Sequence, residues 1–165
     1  MKKLVIGLLF FGLTTQVFSQ VIELSEVNVS VNYKYLDAID SEQIPIPVKT
    51  LTEKVLNFEA NKGDLYDDEY ETYRVSFFIP DGKVVAAYDN TGKILRTIEK
   101  YKNIRLPQDV LQAIAERFPN WAVIEDVYEV NYHCDKGITK KHYKIKLENE
   151  DKIVSIKTDD KGNFI

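Results

Sequence analysis

The sequence predicts an α+β protein of two tandem modules, each a helix packed on a meandering antiparallel β-sheet. Three observations predict it. One stretch occurs twice: residues 73–95 read YRVSFFIPDGKVVAAYDNTGKIL and residues 143–165 read YKIKLENEDKIVSIKTDDKGNFI, so Tyr73, Asp89 and Gly92 recur 70 positions later as Tyr143, Asp159 and Gly162. Helical signatures recur at an offset of 60, with Ile46, Pro47, Leu51 and Phe58 matched by Leu106, Pro107, Leu111 and Phe118. In both copies apolar residues then alternate with polar ones, the period of a half-buried strand.

Residues 1–3 are a short basic stretch, residues 4–13 an apolar run, and Val17, Phe18 and Ser19 fit a signal-peptidase site, so cleavage is expected after Ser19. The apolar run is half the ~20 residues needed to span a bilayer, so no stable membrane insertion is expected and the product should be periplasmic or secreted. Losing residues 1–19, with Lys2 and Lys3, leaves 146 residues and moves the net charge from −4 to −6. The N-terminal module is placed at 20–100 and the C-terminal one at 101–165.

Residues 21–31 alternate Val21, Val27, Val29 and Val31 with polar residues, which predicts a leading strand. Ile46-Pro47-Val48 opens a helix, because Pro costs nothing in the first turn, and Leu51, Val55 and Phe58 follow at helical spacing. Residues 61–72 hold the acidic cluster Asp64, Asp67, Asp68, Glu69 and Glu71, and any first strand there is short or frayed. Val75, Phe77 and Ile79 share one strand face, and Pro80-Asp81-Gly82-Lys83 and Asp89-Asn90-Thr91-Gly92 are turns.

Leu106-Pro107-Gln108 opens the second helix, with an apolar stripe of Val110, Leu111, Ile114 and Phe118 that Pro119 ends. Ala122, Ile124, Tyr128, Val130 and Tyr132 lie on one face of a long strand; a turn at residues 135–137 leads to Tyr143, Ile145 and Leu147 on the next. Asn149-Glu150-Asp151 and Asp159-Asp160-Lys161-Gly162 repeat the turns of the first copy.

Leu106-Pro107, Phe118-Pro119, Tyr143-x-Ile145-x-Leu147 and Asp159-x-x-Gly162-x-Phe164 resemble the PepSY-like proteins exported by Bacteroidetes-type bacteria, related in fold to β-lactamase-inhibitory protein. The resemblance covers residues 106–165 well and 46–95 more weakly, where the Phe-Pro helix stop is missing. It implies tandem modules of a helix on a four-stranded sheet and, by analogy alone, a role in binding or inhibiting another exported protein. Its residues are core and turn positions, nearly silent on chemistry.

No residue set in the sequence specifies a reaction. An acidic chain is a poor match for nucleic acid or an anionic membrane, so neither is expected as a partner. Gly-rich phosphate loops, G-x-S-x-G, H-E-x-x-H and C-x-x-C are absent, and no catalytic or cofactor residue is assigned. Nucleotidyl transfer is excluded by name, because neither His133 nor His142 belongs to an H-x-G-H motif.

A metal-assisted hydrolase would need His133, Cys134 and His142 to meet across a hairpin. Cys134 is the only cysteine, so no internal disulfide is available, and an inert thiol is expected. The acidic cluster lacks the spacing of a Ca²⁺ loop.

Two sets remain for partner binding. One is aromatic: Tyr66, Tyr70, Tyr128, Tyr132 and Trp121, with Tyr88 and Tyr101 beside them, although strand packing alone favours such residues. The other is the acid-free basic run Lys136, Lys140, Lys141, Lys144 and Lys146, which with the acidic cluster could steer a partner or favour self-association. The sequence therefore points to a non-catalytic exported binding or inhibitor-like protein recognising an exported or envelope protein. A self-associating structural envelope protein is the other non-enzymatic reading.

Overall fold

The computed structural model describes residues 26–39, 44–59 and 70–165. The segment read as a signal peptide, Tyr66 and the acidic cluster through Glu69 lie outside the described residues. Helices α1 (Glu26–Ile39), α2 (Ile46–Leu56) and α3 (Gln108–Arg117) accompany strands β1 (Thr72–Ile79), β2 (Gly82–Asp89), β3 (Ile94–Lys102), β4 (Ala122–His133), β5 (Gly137–Asn149) and β6 (Lys152–Thr158). The strands form one antiparallel sheet in the order β1-β2-β3-β4-β5-β6, and the fold is α+β.

The module boundary expected at residue 100 falls within β3, which pairs with β4 from Arg96↔His133 to Lys102↔Val127. The two halves share one sheet. Each contributes three strands where the resemblance implies four, and the position equivalent to the start of β3 is held in the second half by Phe164, bridged to Thr158.

The sequence repeat is most faithful in its turns. In both Asp89–Gly92 and Asp159–Gly162 the Asp carboxylate accepts N–H bonds two and four residues on, at 2.9 and 3.0 Å from Thr91 and Lys93, and at 2.9 and 2.8 Å from Lys161 and Asn163. Each turn closes on a glycine in the left-handed region, Gly92 at φ 83° and Gly162 at φ 80°, where an L side chain is disfavoured. The same Asx chemistry recurs because the same residues recur.

The predicted leading strand is corrected: from Glu26 the chain is helical, as α1. The alternation of residues 21–31 stops where another spacing begins, with Asn32, Tyr35, Leu36 and Ile39 at helical intervals. Tertiary contacts fix that helix. Asn32, at a kink, donates to the Gly92 carbonyl at 3.2 Å and accepts the Ile94 N–H at 2.7 Å. Tyr35 donates to Glu99 at 3.0 Å.

α2 begins as expected with Pro47 in its first turn, and it buries Val48, Leu51 and Val55. Tyr88 anchors it by donating to the Val55 carbonyl at 2.8 Å, and Phe58, just past its end, packs on Phe77 and Tyr88. α3 buries Val110 and Ile114, whereas Leu111, predicted in the same stripe, faces solvent. Its entry is tied to the sheet where Asp126 accepts the Ile104 N–H at 3.2 Å and the Asp126 carbonyl accepts the Asn103 N–H at 3.0 Å.

Strand alternation sorts the sheet into two faces. One ladder runs Phe77↔Val84↔Glu99↔Val130↔Lys141 and the next Tyr101↔Tyr128↔Tyr143↔Thr158. With Ala86, Tyr88, Tyr132, Ile145 and Leu147 this face forms the core together with buried residues of the three helices. Glu99 is the exception in it, a carboxylate only 1% exposed. Burial without a cation favours its neutral form and pushes its pKa up.

Candidate functional site

The other face of the sheet has no helix on it among the described residues, and its cross-strand ladders show what it carries. They run Ser76↔Val85↔Ile98↔Asn131↔Lys140, then Phe78↔Lys83↔Lys100↔Glu129↔His142, then Lys102↔Val127↔Lys144↔Lys157. A further ladder runs Arg74↔Ala87↔Arg96↔His133. This open face therefore gathers cations from five strands of a chain whose net charge is −4. Among them Phe78 is 60% exposed, Ile98 45% and Ile153 59%.

The two ends of the face differ electrostatically. On β4 and β5, Glu129 receives Lys140 at 2.7 Å and Lys144 at 2.8 Å, and Glu125 receives Lys146 at 2.8 Å. The hydrogen bond from Lys140, followed by that from Lys144, pulls the Glu129 pKa down to about 2. On β1 to β3 the side chains of Arg74, Lys83, Arg96, Lys100 and Lys102 have no carboxylate within ion-pair distance among the described residues. Asp89, at the end of β2, directs its Oδ1 to the turn N–H groups. Lys83 lies 5.0 Å from the centre of the Phe78 ring, a cation over an exposed aromatic.

The residues expected at a binding surface are dispersed. Lys140, Lys144 and Lys146 do lie on the open face, but the run that is free of acid in the sequence meets Glu129 and Glu125 across the strand. Lys141 is on the covered side, paired with Asp160 at 2.8 Å. Tyr70 is exposed, and Trp121 is half-buried, edge-on to Phe118. Tyr128 and Tyr132 are corrected from surface anchors to core residues. Tyr128 stacks between Tyr101 at 6.0 Å and Tyr143 at 4.6 Å, and Tyr132 packs edge-on to Tyr35. Burial raises the pKa of both hydroxyls.

His133, Cys134 and His142, which a metal-assisted hydrolase would need together, do not meet. His142 lies opposite Glu129, four residues along β4 from His133, a separation of roughly 13 Å at the rise of a strand. It is covered by neighbouring side chains; its Nε2 is 3.3 Å from Glu129 Oε2 without hydrogen-bond geometry, and desolvation followed by the Lys140 charge lowers its pKa. His133, Cys134 and Asp135 could offer ligand atoms within 4.8 Å of one another, but His133 Nδ1 already accepts the Asp135 N–H at 3.2 Å.

The surface residues that sequence reasoning missed are Arg96, Ile98, Lys100 and Lys102. Their signal is the alternation of β3, in which Thr97, Glu99 and Tyr101 take the other side. Among the described residues no helix is long and apolar enough to cross a membrane.

No protein-family model matches the sequence, and neither does any curated protein. Solved structures similar in outline include the following two. A BLIP-like protein from Bacteroides fragilis has a TM-score of 0.33 and 17% identity, over 81% of this chain and 82% of that one. A DUF2874 family protein from Bacteroides ovatus has a TM-score of 0.36 and 16% identity, over 76% of this chain and 86% of that one.

Proposed function

We propose that the protein is an exported, non-catalytic binding protein, inhibitor-like in forming a stoichiometric complex without turnover. The open face of its sheet, chiefly β1 to β3, recognises an acidic surface of another exported or envelope protein. One observation carries this reading. Phe78 and Ile98 stand exposed among Arg74, Lys83, Arg96, Lys100 and Lys102, with no acidic partner within ion-pair distance among the described residues.

Such a mixture suits docking. Apolar side chains lose contact with water when a partner covers them, and the surrounding cations steer an acidic partner and fix its orientation. A protein fits better than a nucleic acid or a lipid surface, because the chain as a whole is acidic at −4 and repels an extended polyanion beyond this face. Export rests on the signal-peptide reading of residues 1–19.

The test is capture from periplasmic and outer-membrane extract, followed by affinity measurement with the purified captured protein. An acidic partner should bind the unmodified protein, lose at least about tenfold in affinity to the double variant Arg96→Glu/Lys100→Glu, and associate more slowly as salt rises. Reversal of Lys161, off the sheet, should leave binding unchanged. A partner indifferent to the β3 reversals refutes the assignment of this face. Recovery of the protein itself alone favours the self-associating envelope protein.

A further inference from the structure

The described residues do not cover the helix-bearing face of the sheet completely. Between the end of α1, the start of α2 and the connection from β3 to α3, the helices leave a cavity of about 850 Å³ above β3, β4 and β5, within the size range of small-molecule sites. Its walls are mixed: Ile39, Ile44, Pro47 and Leu106 make one apolar side, and Glu99, Arg105, Asp109, Lys141 and Asp160 bring charge to the rest. Glu99 belongs to its lining. This is independent of the open face, which lies on the opposite side of the strands.

The chemistry of Glu99 sets what such a cavity can hold. Its Oε1 accepts hydroxyl bonds from Tyr35 at 3.0 Å and Thr97 at 2.6 Å, and its Oε2 one from Tyr101 at 2.8 Å. Once ionised, its carboxylate has about four acceptor positions, so Oε2 then has capacity for one more donor. No cation lies within ion-pair distance of Glu99 among the described residues. The lysine that lines the same cavity, Lys141, is held by Asp160 at 2.8 Å. Burying a carboxylate without a cation is costly; three hydroxyls from two elements hold it in place, and a ligand's ammonium group would supply the missing charge.

We infer that this cavity binds a small amphipathic amine, its ammonium group on Glu99 and its hydrocarbon body along the wall formed by Ile39, Ile44, Pro47 and Leu106. A carboxylate ligand of the same length would bring like charge to the same place. An alcohol would gain a hydrogen bond without the charge.

Octylamine, octanol and octanoate, matched in length, separate these cases by calorimetric titration of the full chain. The expected result is saturable one-to-one binding of octylamine, octanol weaker by about tenfold, and octanoate weaker still. Glu99→Gln should bring octylamine down to the level of octanol and leave octanol unchanged, and Ala38→Trp, which fills the cavity from α1, should abolish both. The unmodified protein gives a second readout that does not depend on the variants folding: nuclear Overhauser contacts from the headgroup methylene of octylamine should fall on the side-chain protons of Glu99 and of Val130 opposite it, both of which line the cavity. Octanoate binding as tightly as octylamine, an amine no better than the alcohol, headgroup contacts elsewhere, or no saturable binding of any of the three would each overturn the inference.

Discussion

Glu99 and Glu129 lie on adjacent strands, and their carboxyl groups are shifted in opposite directions. Glu99 is on the face covered by helices, where desolvation pushes its pKa up against the three hydroxyls that bond to it. Glu129 is on the open face, where Lys140 and Lys144 pull its pKa down to about 2. Residue type is the same; what differs is which side of a strand the residue occupies and what lies over that side. The contrast extends to the whole sheet. On the covered face most side chains belong to the core, and on the open face most stay at the surface, His142 beneath its neighbours being an exception.

Several substitutions would break or sharpen that contrast. The largest effect belongs to Tyr128→Ala, which removes the middle ring of a buried stack and should cost about 3–5 kcal/mol in urea unfolding. Lys100→Ala, on the open face of the neighbouring strand, should stay within about 0.5 kcal/mol. Comparable losses from the two would mean that the faces are not distinct.

Next comes Glu99→Ala. It leaves the hydroxyls of Tyr35, Thr97 and Tyr101 without their acceptor and should cost about 3 kcal/mol, more than Glu99→Gln, which keeps an oxygen there. Equal losses would mean that volume rather than hydrogen bonding holds the site.

The repeated turns give a third test, since the difference between covered and open applies to them too. An alanine Cβ at position 162 would meet the Asp109 carbonyl of α3 at 2.6 Å, whereas at position 92 it would meet nothing within 4 Å. Gly92→Ala should therefore cost about 1 kcal/mol, for its left-handed backbone alone. Gly162→Ala should cost at least about twice that, because α3 must also shift. Equal melting shifts would show that α3 yields freely.

The smallest effect is on acid stability. Because the folded-state pKa of Glu129 is depressed, its contribution is present above the ordinary Glu value and is lost as pH falls toward 2, the unfolded chain taking up the proton first. Glu129→Gln should remove that part of the acid-side slope, by about 1 kcal/mol or less. Glu99 has the opposite sign. Its raised pKa stabilises the protonated fold, and that contribution declines as pH rises through the folded value. Unfolding midpoints of the two Gln variants, compared with the unmodified protein across pH, should diverge in opposite directions; parallel curves would remove the distinction between the two carboxyl groups.

Much of the fold was legible in the sequence. Pro47 and the Leu51/Val55 spacing located α2, Leu106-Pro107 located the start of α3, and the Asp-to-Gly intervals located two turns with matching hydrogen bonds. From Glu26 on, the strand predicted for residues 21–31 failed because a short alternating run also occurs in a helix, and the deciding contacts of α1 are to Gly92, Ile94 and Glu99. Lys140, Lys144 and Lys146 were marked in the sequence and lie on the open face, but their ion-pair partners were not legible, because Glu129 and Glu125 are neighbours across a strand pair and not along the chain. Arg96, Ile98 and Lys100 were legible in the alternation of β3 but had no motif to mark them.

What the sequence determined by itself is local: where helices begin, where turns close, and which residues of each strand share a side. Those properties depend on backbone conformation over a few residues, through the ring of proline, the φ of glycine and the alternation of side chains. Only the tertiary structure decided which side of the sheet the helices cover. That choice rests on contacts such as Tyr35 with Glu99, 64 residues apart, and it makes Tyr128 a core residue, leaves Lys100 in water and gives neighbouring glutamates opposite titration behaviour.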